Sequence, residues 1–274
     1  MIISEKIYLT EDKKASLEVI GLPMFDQSRS AWQAEERPVA VIVPGGSYLY
    51  CSDREAYPVG LTFASKGYQV FILRYHVGDE SDYPRPFLDL SLAIKYIKEN
   101  KEKYKLDINN ITIAGFSAGG HLVGTYAGLV NRKEFHEISG MDQDQLKVKN
   151  IILGYPAVNL KPIAEKINHY NIHDKVGKLF TTYDEIKDGK ALAYNGMANV
   201  FVFHSIDDDM VYVNEVADYV HHLTTLGVNV EFHLFNQGRH GYSTGNKFTN
   251  PKEGFPTRVG VWMDIAFDWL DSLS

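Results

Sequence analysis

The sequence predicts an α/β fold, a mostly parallel sheet with helices on both faces, and three observations carry that reading. Short β-branched runs alternate with amphipathic helical patterns from one end of the chain to the other. Runs such as Val39-Ala40-Val41-Ile42-Val43 are continuously apolar, as strands covered on both faces are. The run Ile111-Thr112-Ile113-Ala114 gives way to a helical period through Gly115-Phe116-Ser117-Ala118-Gly119, a sharp strand-to-helix turn.

The elements follow in order. Ile7–Leu9 and Ser16–Ile20 read as an antiparallel edge, and the buried strand Val39–Val43 ends at Pro44-Gly45-Gly46. A helix over Arg54–Lys66 is stopped by Gly67. Gln69–Leu73 is the next strand, and Pro86–Lys103, with Leu88, Leu92, Ile94 and Ile97 on one face, is an amphipathic helix. After the Ser117 turn, Leu122, Val123, Tyr126, Leu129 and Val130 keep a helical period. Strands at Asn150–Leu153 and Asn199–Phe203, a helix at Asn214–Leu226, a strand at Asn229–Leu234 and a closing helix near Gly260–Leu270 complete the alternation.

One interval is out of proportion. More than forty residues separate Tyr155 from Met197, where a crossover helix with its loops takes roughly half that. The spacing predicts a cap insertion at about 155–197, polar in its central part from Pro162 to Lys190. His169 and His173 inside it are four apart, as two metal ligands on a helix would be. A third ligand is missing, because Asp174 would point about 100° away from His173. The pair reads as solvated cap surface, and no metal is expected.

Composition bounds the rest. At 274 residues the chain is long enough for one large domain, and no Pro/Gly/Ser-rich linker divides residues 1–274. With 28 basic against 35 acidic residues the formal charge is −7 and no basic stripe is visible, so nucleic acid is not an expected partner. A single cysteine, Cys51, fits a reducing compartment and reads as packing. The first residues lack the basic and apolar regions of a secretion signal, and no apolar run approaches the ~20 residues of a membrane span. The expectation is a cytoplasmic protein without membrane contact. Its oligomeric state is left open, a homo-oligomer being compatible with the sequence.

The chemistry gathers at strand ends. Serine between two glycines on a strained turn is a nucleophile elbow, and the residues two positions either side must be small for the turn to close. Ser117 meets that description, the competing reading being a serine that merely caps its helix. A serine nucleophile needs a general base, itself oriented by a carboxylate. His240, in Gln237-Gly238-Arg239-His240-Gly241-Tyr242 soon after the strand 229–234, is the candidate base. The acid is one of Asp207, Asp208 and Asp209, which follow the strand Asn199–Phe203. Serine, then aspartate, then histidine is the chain order of one of the large hydrolase folds and differs from that of the two main serine-protease folds. Oxyanion donors would come from the amide of Ala118 and from the loop Pro44-Gly45-Gly46-Ser47-Tyr48.

Together these segments resemble the α/β-hydrolase superfamily, and within it the small esterases of the BD-FAE and hormone-sensitive-lipase-like groups, including xylan-associated acetyl esterases. The carriers are Pro44–Tyr48 with Ser52-Asp53-Arg54-Glu55, Gly115–His121, His204–Val211 and Gly238–Gly241. The resemblance implies an eight-stranded, mostly parallel sheet flanked by helices with a small cap. It also implies the acid: the family pattern D-x-V-V-P sets it four residues before a proline, and Asp208 lies four before Tyr212, which stands in the proline's place. The family's H-G-G-G loop is P-G-G-S here, which gives Gly46 and Ser47 the donor positions and leaves Gly45 for the turn.

The reading is a serine carboxylesterase with Ser117, His240 and Asp208 as its triad, Gly46, Ser47 and Ala118 as its oxyanion hole, no cofactor, and a small-molecule ester as substrate. Acetylated sugars are one candidate class. Tyr48 and Tyr50, beside the oxyanion loop and under the cap, predict a restricted acyl pocket that favours acetyl to butyryl chains. An amide hydrolase or peptidase would use the same triad. A non-catalytic hydrolase-fold binding module is the rival from another class, and such proteins commonly lose a triad member.

Overall fold

The computed structural model describes residues 3–21, 36–170, 176–179, 185–252 and 254–273. Eight strands form one sheet: β1 (Ile3–Tyr8), β2 (Ser16–Gly21), β3 (Arg37–Val43), β4 (Gln69–Arg74), β5 (Leu106–Phe116), β6 (Asn150–Gly154), β7 (Asn199–Ser205) and β8 (Val230–Phe235). Their spatial order is β1-β2-β4-β3-β5-β6-β7-β8. The six strands from β4 to β8 in that order run parallel, and the hairpin β1-β2 joins the β4 edge antiparallel. The sheet is therefore mixed at one edge, as the early antiparallel pair implies.

Alternation along each strand splits the core in two. Val39, Val41 and Val43 face one layer, with Leu90 and Ile94 of α2 (Arg85–Glu99), Leu122 and Tyr126 of α4 (Ala118–Leu129) and Val216 and Leu223 of α8 (Val213–Thr225). Ala40 and Ile42 face the other, with Val59 and Phe63 of α1 (Asp53–Ser65) and Trp262, Phe267 and Leu270 of α9 (Trp262–Ser272). Each layer buries the apolar stripe of its helices, and at roughly 25 cal/mol per Å² that burial is the dominant favourable contribution to folding.

Several expected boundaries move. The helix expected over 86–103 ends at Asn100, whose side-chain amide donates to Tyr96 O at 2.8 Å and so competes for a helical carbonyl; a short α3 (Lys101–Tyr104) follows. Before β6 two helices go unread in the periodicity, α5 (Lys133–Ser139) and α6 (Gln143–Leu146). The second carries a capping box between Asp142 and Gln145, which is legible as D-x-x-Q. The closing helix starts at Trp262, after a 3₁₀ turn over Thr257–Val261.

Between β6 and β7 the described residues hold helix α7 (Lys161–Tyr170) and two 3₁₀ turns at Glu185–Lys187 and Gly189–Leu192. His169 is exposed on α7, while His173 and Asp174 lie outside the described residues. Among the described residues no helix is long and apolar enough to cross a membrane.

Candidate active site

Because the six strands are parallel, the loops after β3, β5, β6, β7 and β8 emerge at one edge of the sheet, and every candidate residue lies in one of them. Ser117 follows β5 directly, with φ 53° and ψ −117°. Such a conformation costs of order 1–3 kcal/mol in a residue with a β-carbon. Neighbouring backbone offsets that strain: Ser117 N–H donates to Gly154 O at 2.9 Å, and Ser117 O accepts from His121 N at 3.0 Å and Ala157 N at 3.2 Å. The flanking glycines are required by contact. A β-carbon on Gly115 would stand 2.4 Å from Gly119 O, and one on Gly119 would stand 2.2 Å from Val43 O.

The side chain of Ser117 does not cap α4. Its Oγ instead lies 2.8 Å from His240 Nε2, and His240 Nδ1 lies 2.8 Å from Asp208 Oδ2. Because a carboxylate can only accept, Nδ1 carries the proton and Nε2 is left to accept from the serine hydroxyl. Asp208 is buried and its Oδ1 accepts from the N–H groups of Met210 and Val211, both at 2.9 Å. Burial by itself would raise this carboxyl, but the hydrogen bond and charge of His240 outweigh it and leave Asp208 below the ordinary aspartate value.

The three aspartates have separate fates. Asp208 meets the imidazole; Asp207 Oδ1 accepts from Gly238 N and Arg239 N, both at 2.8 Å, and so ties down the loop that carries His240; Asp209 is exposed. Two further groups hold that loop. Ser205 Oγ donates to Arg239 O at 2.7 Å, and Trp262 Nε1 donates to Ser243 O at 2.8 Å while its ring stacks on Phe203.

The three expected oxyanion donors lie in Ala118 and in the loop after β3, which passes beside Ser117. Ala118 is the first residue of α4, where a helix leaves its N–H groups unbonded. The loop after β3 passes so close that a β-carbon on Gly45 would stand 2.9 Å from Ser117 Cβ and 2.6 Å from Phe116 O. Gly46, Ser47 and Tyr48 then take φ values of 127°, 55° and 57°, a left-handed turn in which Gly46 O accepts from Leu49 N and Tyr50 N. Neither Gly46 N–H nor Ser47 N–H is used among the described residues. Gly45 N–H, by contrast, donates to Glu55 Oε2 at 2.9 Å.

Glu55 is a residue that sequence reasoning missed. It is buried on the inner face of α1, it fixes Gly45, and it accepts a 2.8 Å hydrogen bond from Tyr155 Oη. Tyr155, at the end of β6, accepts from Ser243 N at 2.9 Å and sets its ring edge-on to His240 at 5.2 Å. One buried carboxylate thus joins the oxyanion loop to the histidine loop. The available signal was the spacing of Glu55 with Ala56, Val59 and Phe63, which places an acid on an apolar helical face.

His121, four residues after Ser117, is also buried. Its Nε2–H donates to Ile186 O at 2.7 Å, which leaves Nδ1 to accept from Tyr48 Oη at 2.8 Å. Burial pushes its pKa down to about 4. Tyr48 is consequently part of the core rather than of an acyl pocket, contrary to its expected role, whereas Tyr50 is 58% exposed. The segment between β6 and β7 touches the oxyanion loop a second time, where Gly177 N–H donates to Ser47 O at 2.8 Å. Cys51 packs against the core, and burial raises its thiol to about 11, out of the range of a nucleophile at neutral pH.

The chain is similar to known esterases and α/β hydrolases. The BD-FAE family model matches residues 27–223. Endo-1,4-β-xylanase B of Butyrivibrio fibrisolvens is 25% identical over 77% of this chain and 33% of its own length. Acetylxylan esterase of Xylanibacter ruminicola is 24% identical over 88% of this chain and 46% of its own. The chain thus spans less than half the length of these two relatives. Among solved structures, the carboxylesterase Cest-2923 of Lactobacillus plantarum WCFS1 superposes with a TM-score of 0.83 at 25% identity, covering 100% of this chain and 98% of that one. MGS-M1, an α/β hydrolase from a deep-sea metagenome library, gives 0.76 at 30% identity, covering 99% and 97%.

Proposed function

Since the chain belongs to the BD-FAE family of α/β hydrolases, we propose that it is a serine carboxylesterase for short-chain acyl esters, with Ser117, His240 and Asp208 as its catalytic triad. The observation that carries the proposal is the unbroken line from Ser117 Oγ through His240 to Asp208, two contacts of 2.8 Å each. His240 Nε2 takes the hydroxyl proton as Ser117 Oγ attacks the ester carbonyl, and Asp208 stabilises the imidazolium that forms. The developing oxyanion is held by the N–H groups of Ala118, Gly46 and Ser47. Collapse breaks the bond to the alcohol oxygen, which takes the proton from Nε2 and leaves an acyl-Ser117. Water, deprotonated by the same nitrogen, then releases the acid.

Residues 155–197 act in this reading as a cap on a single domain, and their contacts with Ser47 and His121 support a site narrowed on the acyl side. The names of the xylan-active relatives favour acetylated sugars as the substrate class. The deciding experiment is a panel of 4-nitrophenyl esters from acetyl to decanoyl together with 4-nitroacetanilide. Ester turnover without amide turnover supports the carboxylesterase, comparable turnover of both points to an amide hydrolase, and no turnover of either leaves a non-catalytic module.

A further inference from the structure

Beside His240 lies a cavity of about 530 Å³ whose walls come from four separate stretches of the chain. Arg54 enters from the start of α1, Asp207 and Arg239 from the acid and histidine loops, and Lys252 and Phe255 from the loop before α9. Three cationic side chains therefore border one space in a chain of formal charge −7. None of the three has a carboxylate partner among the described residues. Arg54 Nη1 donates to two neutral acceptors, Thr249 O at 2.9 Å and Asn250 Oδ1 at 3.0 Å, which pin the guanidinium to the wall. Its Nη2 stays close to the histidine loop, 3.5 Å from where a β-carbon on Gly241 would stand. Asp207, the one acid among the described wall residues, already gives Oδ1 to the N–H groups of Gly238 and Arg239.

The position of this cavity relative to the reaction gives it a use. His240 must hand a proton to the leaving oxygen, so the alcohol part of an ester departs past the imidazole. The cavity is bordered by His240, the side chain that hands over that proton. We propose that it is the alcohol subsite and that it selects alcohols bearing a carboxylate, with Arg239, Lys252 and Arg54 supplying the counter-charge and Phe255 an apolar wall for a ring. A singly charged carboxylate fits better than a phosphate dianion because Asp207 shares the wall. The inference rests on the serine-esterase reading and narrows its substrate class to acylated acidic alcohols, of which an acetylated uronic-acid-bearing sugar is an example.

The test compares phenyl acetate with 3-acetoxybenzoate, which carry the same acyl group and differ by one carboxylate. The quantity read is the ratio of their kcat/KM values, divided by the same ratio for hydroxide in water. The wild-type ratio should favour the carboxylate, and Arg239→Gln and Lys252→Gln should each lower it about three- to tenfold, as loss of a partly exposed charged contact does. Raising the salt should lower it as well. A wild-type ratio equal to that of hydroxide, or one unchanged in the double variant, overturns the subsite while leaving the esterase intact. A larger preference for 3-acetoxyphenyl phosphate overturns the choice of carboxylate. If phenyl acetate is turned over no faster than by Ser117→Ala, the esterase reading fails instead. Calorimetric binding of 3-hydroxybenzoate, present in the wild type and lost in the double variant, then judges the anion site alone; its absence overturns it.

Discussion

Asp207 and Asp208 are adjacent in the chain, yet their carboxylates serve different atoms of one loop: Asp208 Oδ2 meets the His240 ring, and Asp207 Oδ1 meets the backbone just before it. Asn substitutions should therefore separate them. Asp208→Asn leaves the imidazole in the wrong tautomer and should lower kcat by about 10⁴-fold. Asp207→Asn keeps an acceptor oxygen for the Gly238 and Arg239 amides and should cost no more than about tenfold, the worth of one hydrogen bond. Asp209→Asn should be milder still. Steady-state kinetics of the three variants checks the order, and a crippled Asp207→Asn beside an active Asp208→Asn would reverse the assignment.

Ser117→Ala removes the proposed nucleophile and little packing. Ester hydrolysis should fall at least ~10³-fold with the unfolding midpoint within a few degrees of wild type. The backbone strain at position 117 remains in the variant, because alanine also has a β-carbon, so the fold loses nothing further there. Residual activity of more than a few per cent, once wild-type contamination has been excluded, would rule out the serine mechanism.

Glu55→Gln presents one amide N–H₂ to one of the two donors, Gly45 N–H and Tyr155 Oη–H, that the carboxylate accepts. An unsatisfied buried donor costs about 1–3 kcal/mol, and here part of that cost falls on the geometry of the oxyanion loop. The expected result is a drop in kcat of about ten- to a hundredfold with KM little changed, since the loop acts on the transition state more than on ground-state binding. A purely structural Glu55 would lower the unfolding midpoint and spare kcat.

His121 makes stability depend on pH. Its folded pKa of about 4 lies below the unfolded value of about 6.5, so between those limits the unfolded chain binds the extra proton and stability rises with pH. The contribution is complete above pH 6.5 and is lost progressively as pH falls towards 4, on the order of 3 kcal/mol in total. In thermal melts from pH 4 to 8, the gap between wild type and His121→Gln should be widest above 6.5 and narrow towards pH 4. A gap that widens on acidification would contradict the buried neutral imidazole.

For acyl length, a filled pocket accommodates extra methylenes only with strain of about 1–3 kcal/mol, which is roughly 5- to 150-fold in kcat/KM. The 4-nitrophenyl series should peak between acetyl and butyryl and decline through decanoyl. Activity that climbs towards the long chains would mean an open acyl channel.

What could be read from the sequence depended on how local its cause was. The sheet, the Ser117 turn and the proximity of His240 to the acid loop follow from short patterns, apolar runs and glycine spacing, that act within a few residues. The choice of Asp208 came only through the resemblance, since three successive aspartates after one strand look alike until the loop folds. Glu55, Tyr155 and His121 bond to residues 10, 65, 73, 88 and 100 positions away, and no periodicity encodes such partners. Tyr48 was misplaced for the same reason: its burial depends on an imidazole contributed by α4. The short helices α5 and α6 were lost because four to seven residues are too few to show a period, although the box at Asp142 was there to be found.

The hydrogen bond from Gly177 N–H to Ser47 O, with the one from His121 to Ile186 O, means that the segment between β6 and β7, the proposed cap, is also part of the scaffold it would cover. Exchanging that segment for one from another hydrolase, a natural route to altered selectivity, would free the Ser47 carbonyl and unseat the imidazole that steadies Tyr48. Selectivity and turnover are thus not independently adjustable in this chain. A chimera that carries over the partners of Ser47 and His121 should retain its rate, while one matched only in length should not.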